Sequence, residues 1–197
     1  MLATTDAVVL ALQPHSDKAH VLHAYTRAYG RVNYMVYGLG RKHAAGLYTP
    51  FSLIRITADQ PSGLSVKPPT LKEATPLSFS TGGITPLYKQ TVALFLSEVL
   101  YHTLRHPMPD EPMFDFIASA IPLLNATDEP QNFHLSFLIG FAAQLGFSID
   151  SASDLLTEPH TRTERQTQLR RLCGYFAEHV DTWQPPRSLE ILTEIFD

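Results

Sequence analysis

The sequence predicts an α+β protein in which a small β-barrel is followed by an all-helical bundle. Two observations support this division. In residues 1–75, short apolar segments with period-2 alternation are separated by turn residues, which is typical of strands. From Thr85 onward, apolar residues recur at helical spacing. The pair Gly82-Gly83 lies between the two patterns and predicts a boundary between a barrel domain, residues 1–80, and a helical domain, residues 84–197.

The barrel prediction rests on five short segments rich in apolar residues. The predicted strands are 6–12, 19–25, 31–37, 51–57 and a fifth within 64–74. Pro68-Pro69 must interrupt the fifth strand or place it at an edge, because proline cannot donate to a sheet hydrogen bond. Five strands with no long helix between them predict a small closed or partly open barrel, for which the five-stranded OB-fold is the natural candidate.

The third predicted strand has the clearest alternation. Val32, Tyr34 and Val36 share one face, which predicts that they are buried. Arg31 and Tyr37 lie on the opposite face. The barrel is therefore expected to have one wet, partly aromatic surface.

Five helices are predicted after the glycine pair. Thr161 and Glu164 have the spacing of a capping box. Asn132 is expected to cap the third helix and Gly146 to end it, while Pro122 is expected to kink or shorten the second. The predicted helices extend over 85–106, 111–124, 132–146, 161–180 and from 188 onward.

The composition excludes several classes of protein. Of 197 residues, 44% are hydrophobic and 17% are charged, which is typical of globular proteins. No apolar run approaches the ~20 residues of a membrane span, and the first residues lack the order of a signal peptide. A cytoplasmic protein is therefore expected. The single cysteine, Cys173, forbids an internal disulfide or a multi-thiolate zinc site and is expected to be a buried thiol.

Neither a metal nor another cofactor is expected. Glu98, His102 and His106 are four residues apart on one predicted helix, so they span two turns and are too far apart to bind one ion. His20 and His23 have opposite parity on a strand and point to opposite faces. The motifs of serine hydrolases, P-loop proteins and dinucleotide-binding proteins are missing from the sequence. We therefore expect a protein that is not an enzyme.

Charge is unevenly distributed along the chain. Residues 1–75 carry eight Lys and Arg against four Asp and Glu, whereas residues 76–197 carry seven against fifteen. A basic half attracts a polyanion such as a nucleic acid, and the acidic half is then left for another role. A chance difference between adjacent domains is the alternative explanation.

Several short motifs occur in a characteristic order. They are Tyr25-Thr26 through Gly30-Arg31, Gly38 through Lys42, Leu94 through Leu100, Pro109-Asp110 leading to Phe114, and Phe133 through Phe147. Their order and spacing resemble the RecO family of recombination-mediator proteins. Some members of that family carry a four-cysteine zinc module after the last motif, but residues 148–162 contain no cysteine.

The resemblance implies an OB-fold followed by a helical bundle, together with a function. Such a protein is not an enzyme; it binds and anneals single-stranded DNA and engages the acidic C-terminal tail of the single-strand-binding protein SSB. With RecR it helps to place RecA on SSB-coated DNA, and it is expected to associate with the nucleoid. One alternative is an adaptor that bridges proteins with negligible DNA binding. Another is a hydrolase with an unfamiliar fold.

The N-terminal half contains the cations and aromatic rings with which OB-folds bind single strands. Arg31 and Tyr37 share one face of the third strand, and the basic pair Arg41-Lys42 follows in a glycine-rich loop. Four further cations are candidates to extend this DNA-binding track, namely Lys18, Arg27, Arg55 and Lys67. Ordinary solvated surface charge is the alternative explanation.

The fourth predicted helix contains a second candidate site. Arg162 and Arg165 continue the helix face defined by Leu169, Cys173 and Phe176. Guanidinium groups beside an apolar groove suit a short acidic peptide that ends in an aromatic residue, which is the kind of tail that the resemblance implies. The alternative is that these arginines only extend from the end of a core stripe.

Overall fold

The computed structural model describes residues 1–39, 44–60, 67–78, 86–147, 149 and 159–195. The strands are β1 (Leu2–Ser16), β2 (Ala19–Thr26), β3 (Gly30–Tyr37), β4 (Leu53–Asp59) and β5 (Leu71–Ser78). The helices are α1 (Ala44–Leu47), α2 (Leu87–Thr103), α3 (Glu111–Ala126), α4 (Phe133–Gln144), α5 (Arg162–His179) and α6 (Leu189–Ile195). A single 3-10 turn, Pro130–Asn132, precedes α4.

The five strands form one antiparallel sheet in the order β3-β2-β1-β4-β5. β1 is long because it has two neighbours: residues 2–8 pair with β4, and residues 7–16 pair with β2. The edge strands approach each other through a parallel bridge between Met35 and Thr70. The sheet is therefore incompletely closed, as in the partly open barrel of the OB-fold, and the predicted α+β class is confirmed.

The predicted alternation of β3 is confirmed. Val32, Tyr34 and Val36 are buried in the barrel core. Asn33 and Tyr37 are exposed on the other side of the strand, whereas Met35, which lies between them on that side, is buried. The inward side of β3 thus stabilises the barrel by burying apolar surface, while its outward side leaves polar groups in contact with solvent.

β1 and β5 differ from the predicted strands. β1 covers residues 2–16 instead of 6–12, because its backbone pairs with two neighbours beyond the apolar run. β5 covers residues 71–78 rather than part of 64–74, and it begins after Pro68-Pro69. Backbone pairing decides where both strands end, and a period-2 pattern of side chains does not reveal that pairing.

The capping signals at two helix ends are confirmed. The side chain of Thr161 accepts a hydrogen bond from the Glu164 N–H at 3.2 Å, and the Glu164 carboxylate accepts one from the Thr161 N–H at 3.0 Å. Gly146 follows α4 with a φ of 85°, and the N–H groups of Gly146 and Phe147 donate back to carbonyl oxygens of the last turn. This is a Schellman motif, which requires the left-handed conformation that glycine adopts without strain.

Two helix signals have other outcomes. Asn132 lies at the N-cap position of α4, but its side chain makes no capping hydrogen bond there, and its amide donates to the Pro159 carbonyl oxygen at 3.1 Å. Pro122 lies inside α3 and does not shorten it, since the helix continues to Ala126. Ile121 and Leu124 are both buried, and their burial offsets the backbone hydrogen bond that proline cannot make.

The chain divides by its internal contacts into two compact units. The barrel unit is Met1–Thr85 with Leu104–Pro122, and the helical unit is Pro86–Thr103 with Leu123–Asp197. This division differs from the predicted domains, because residues 104–122 group with the barrel. Within the barrel unit, the Arg31 N–H donates to the His106 carbonyl oxygen at 3.1 Å, and the rings of Tyr25 and Phe114 stack with centroids 6.4 Å apart.

Candidate nucleic-acid interface

The outward side of β2 and β3 is the candidate interface. It carries His23, Arg31, Asn33 and Tyr37, and we call it the β3 face. His23 pairs directly with Asn33 across the two strands, and directly paired residues point to the same side of a sheet. Tyr37 is 58% exposed, so its ring is available for stacking. In OB-folds this side of the second and third strands binds oligonucleotides.

Three polar side chains form a row across the β3 face and the adjoining β1. The Nδ1 atom of His23 is 2.7 Å from Asn33 Oδ1, and its Nε2 atom is 3.1 Å from Gln13 Oε1. Burial lowers the pKa of His23, the hydrogen bond with Asn33 opposes this effect, and the charge of Arg31 adds to it. Both contacts join a ring nitrogen to an amide oxygen, and a neutral imidazole with one N–H donates to only one of them. The other amide has to present its NH₂ group to the ring in place of its oxygen. The row holds two exposed amides in place.

A cavity of about 490 Å³ lies between the β1–β2 turn and the end of β3. The Gly38 N–H donates to the Lys18 carbonyl oxygen at 3.3 Å, which fixes the turn against the strand end. Gly38 has a φ of 69°, in the left-handed region that favours glycine. This arrangement brings the predicted residues Lys18 and Tyr37 to one cavity. Its other lining residues within the described ranges are Asp17, His20, Gly38 and Leu39.

Two of the predicted cations are bound to carboxylates of the protein itself. Arg27 forms an ion pair with Asp115, and its guanidinium lies 4.6 Å from the centroid of the Phe114 ring. Arg55 donates to both carboxylate oxygens of Asp6, at 2.8 and 3.3 Å. The hydrogen-bonded carboxylate raises the pKa of each arginine. The paired charges attract phosphates less strongly than isolated cations would.

The remaining predicted cations are only partly grouped. Arg31 is half-buried and lies at the opposite end of β3 from Tyr37. Lys67 is exposed in the segment before β5. Arg41 and Lys42 lie outside the described residues, although they follow the cavity-lining segment closely in the sequence.

Sequence reasoning did not select several polar residues of this surface. Asn33 had a signal, because it lies on the polar side of the alternating third strand. Gln13 comes within hydrogen-bond distance of His23 only through the register of β1 with β2. Asp17 and His20 reach the cavity only because the β1–β2 turn lies against the end of β3.

In the helical unit, Arg162 and Arg165 line a cavity at the start of α5. Its volume is about 20 Å³, which is roughly the space of one water molecule. The Arg162 Nη2 atom donates to the Thr193 carbonyl oxygen at 3.1 Å. The cavity is therefore too small for the aromatic side chain of a peptide.

Phe176 does not line an open groove beside these arginines, which corrects the predicted peptide site. The residue is fully buried. Its ring stacks on Phe141 and Trp183 with centroid distances of 5.8 and 5.1 Å, and the Phe147 ring meets it edge-on. The apolar stripe of α5 faces the core at this position, so only the two arginines remain at the surface of the predicted site.

Glu98, which was considered from the sequence as a metal ligand, contacts a serine in the fold. The Glu98 Oε2 atom accepts hydrogen bonds from the N–H and the hydroxyl of Ser188, at 2.9 and 2.7 Å, at the start of α6. Across the described ranges, no three His, Cys, Asp or Glu side chains are placed to hold a metal ion.

No helix in the same ranges has the length and apolarity needed to cross a bilayer. Burial raises the pKa of Cys173 to about 11.

His134 in the helical unit makes stability depend on pH. Burial, assisted by the charge of Arg165, lowers the pKa of His134 to about 3. Between this value and the ordinary value of about 6.5, the unfolded chain binds a proton that the folded chain does not, so stability falls as pH falls. We expect this residue to contribute a loss of up to about 1.4 kcal/mol per pH unit.

Urea denaturation of the wild type and of His134→Leu, between neutral pH and about pH 5, measures this contribution. The variant is expected to lose less stability over this range, because leucine does not titrate. Equal pH dependence in the two proteins would show that His134 does not remain neutral in the fold.

The fold and this surface define a class before any relative is considered: an OB-fold protein with an appended helical unit. Comparison with family models then gives the family. The model described as "Recombination protein O N terminal" matches residues 1–77, and the one described as "Recombination protein O C terminal" matches residues 85–181. The chain belongs to the RecO family.

Individual relatives agree with this assignment. A protein of Flavobacterium johnsoniae named DNA repair protein RecO is 28% identical over 239 aligned residues, which cover all of both chains. A protein of the same name from Porphyromonas gingivalis is 31% identical over 76% of this chain and 63% of its own length. Another from Phocaeicola vulgatus is 34% identical over 74% of this chain and 61% of its own.

Proposed function

We propose that this protein is a recombination mediator in DNA repair. It binds and anneals single-stranded DNA and, together with RecR, promotes the loading of RecA onto DNA coated with SSB. Membership of the RecO family supports a role in DNA repair. The geometry of the barrel unit supports single-stranded DNA as the ligand.

The observation that carries the proposal is the exposed ring of Tyr37 beside Lys18 at the end of the β3 face. Stacking of a base on an aromatic ring contributes about 1–3 kcal/mol and tolerates any sequence, because every base has a π-face. A neighbouring ammonium group attracts the phosphate that follows the base. Tyr37 and Lys18 thus provide the contacts for one nucleotide of a single strand.

Other residues of the β3 face and of the adjoining chain could contact further nucleotides of the strand. Gln13 and Asn33 present exposed amides along the same surface, and Arg31 lies at its far end. Arg41 and Lys42 supply two more cations just beyond the cavity-lining segment in the sequence. Annealing requires that strands be held, that their phosphates be screened and that the duplex be released. These are binding events, so the proposed activity requires no covalent chemistry.

The helical unit is proposed to contact proteins rather than DNA. Residues 86–103 and 123–197, which form this unit, carry twelve acidic residues against six Lys and Arg, so most of it repels a polyanion. Arg162 and Arg165 remain candidates for the carboxylates of the SSB tail. The cavity beside them holds only about one water molecule, so an aromatic residue of that tail must bind elsewhere.

Binding of labelled single-stranded oligonucleotides, measured by fluorescence anisotropy over a salt series, tests the proposal. The wild type is expected to bind and to weaken steeply as salt increases. The double variant Arg41→Glu with Lys42→Glu is expected to bind roughly tenfold more weakly at low salt, and its salt slope is expected to be shallower by about 1.4, or about 0.7 for each lost phosphate contact.

The matched control is Arg170→Glu with Arg171→Glu, which reverses two exposed charges on α5 in the helical unit and so changes the net charge by the same amount. It is expected to bind DNA like the wild type. Absent or salt-independent binding by the wild type contradicts the proposal and supports the alternative, an adaptor that only bridges proteins.

A further inference from the structure

The cavity between the β1–β2 turn and the end of β3 contains a carboxylate, Asp17, beside Lys18 and Tyr37. A carboxylate repels phosphates, so its presence in a single-strand site is unfavourable unless it meets hydrogen-bond donors. The edges of unpaired bases supply such donors. A cavity that combines a carboxylate with a cation and an aromatic ring therefore selects among bases, which a simple row of cations does not.

The cavity has the size of a base pocket, and backbone hydrogen bonds fix the turn that forms one side of it. Its volume of about 490 Å³ lies within the range of small-molecule pockets, roughly 300–1,000 Å³. Asp17 and Lys18 form the tight turn between β1 and β2, and the hydrogen bond from Gly38 to the Lys18 carbonyl oxygen fixes that turn. Ala19 pairs with Tyr37 in the sheet, so the backbone of the turn and that of the strand end keep a constant spacing.

We propose that this cavity binds an unpaired guanine of single-stranded DNA, an inference that rests on the proposed DNA binding. The ring of Tyr37 stacks on the base, and the Lys18 ammonium pairs with its phosphate. The two oxygens of the Asp17 carboxylate accept hydrogen bonds from the adjacent N1–H and N2–H donors of guanine.

No other DNA base matches a carboxylate equally well. Cytosine and adenine each present one amino group beside a ring nitrogen that is an acceptor, so one carboxylate oxygen faces a lone pair. Thymine presents a single N–H between two carbonyl oxygens, which repel the carboxylate. A site that hydrogen-bonds a particular donor pattern discriminates against ligands that lack it.

The test compares short thymidine-rich oligonucleotides that differ only in a central stretch of guanine, hypoxanthine, cytosine, adenine or thymine. Anisotropy competition at constant salt is expected to show that the guanine strand binds about fivefold more tightly than the thymine strand. The hypoxanthine strand lacks the N2 amino group and is expected to fall between them. It tests the same contact from the DNA side, without any change to the protein.

Asp17→Asn is expected to abolish the preference for guanine, because an amide presents one donor and one acceptor instead of two acceptors. Binding of the thymine strand is expected to remain or to become slightly tighter, since a negative charge is lost. The control Asp181→Asn removes the same charge from an exposed position in the helical unit and is expected to retain the preference.

The outcomes separate the two proposals. If the wild type binds no strand at low salt, the proposed DNA binding fails. If it binds all strands equally, only the guanine site is refuted. A preference for guanine that persists in Asp17→Asn also overturns the assignment, because the carboxylate is then not the group that recognises the base.

Discussion

Replacing Phe176 with alanine is expected to lower the free energy of unfolding by about 3–5 kcal/mol. Phe176 is fully buried, and three aromatic rings pack on it: Phe141, Phe147 and Trp183. The substitution removes the apolar contacts of a whole ring and leaves a cavity that rigid neighbours cannot fill. The loss is a large fraction of the stability of an ordinary domain.

Urea denaturation followed by circular dichroism measures this loss, and the only tryptophan of the chain provides a local probe. Trp183 stacks on Phe176, so its emission is expected to shift to longer wavelength in Phe176→Ala. Ile191→Ala, at a position that is 51% exposed, is the control and is expected to change stability far less. A stable Phe176→Ala protein with unchanged emission would instead support the predicted groove, with Phe176 at the surface.

Replacing Gly30 with alanine is expected to destabilise the barrel unit by about 2–5 kcal/mol, the sum of a left-handed backbone cost and an overpacking cost. Gly30 has a φ of 63°. A Cβ atom there would meet the Met108 carbonyl group, and it would lie 2.8 Å from the Met108 backbone nitrogen. Backbone atoms cannot move aside as a flexible side chain can, so the contact must separate the segment around Met108 from the start of β3.

Gly38→Ala is a closely matched control for this substitution. Gly38 also has a left-handed φ, of 69°, but no atom of the described residues would lie within 4 Å of an added Cβ. Gly38→Ala is therefore expected to show only the conformational cost, about 1–2 kcal/mol. Denaturant unfolding of the two variants isolates the contact with Met108 as their difference. Equal losses would contradict the packing of residues 104–122 on the barrel.

Much of the secondary structure was predictable because it depends on nearby residues. Burial of one side of β3 follows from apolar side chains at every second position, and the sequence contains them at residues 32, 34 and 36. The capping box at Thr161 and the stop at Gly146 also depend on residues only a few positions apart. Such patterns involve residues that are close in sequence, so they can be recognised without knowledge of the tertiary contacts.

The candidate site was predictable only in part. Tyr37 and Lys18 were selected for chemical type and position, and the structure places both at one cavity. Arg27 and Arg55 were selected by the same reasoning, but each has a carboxylate partner far away in the sequence, 88 and 49 residues from it. A cation that will bind an internal carboxylate looks the same in sequence as one that will meet a phosphate.

By itself, the sequence determined the class of fold, the order of its strands and helices, and the family. Only the tertiary structure decided that residues 104–122 pack with the barrel, that Phe176 lies in the core, and that Asp17 joins Tyr37 at one cavity. The physical reason is that periodicity and capping are set within a few residues of chain. Strand register and side-chain packing join residues that are distant in sequence, and no local pattern encodes which of them will meet.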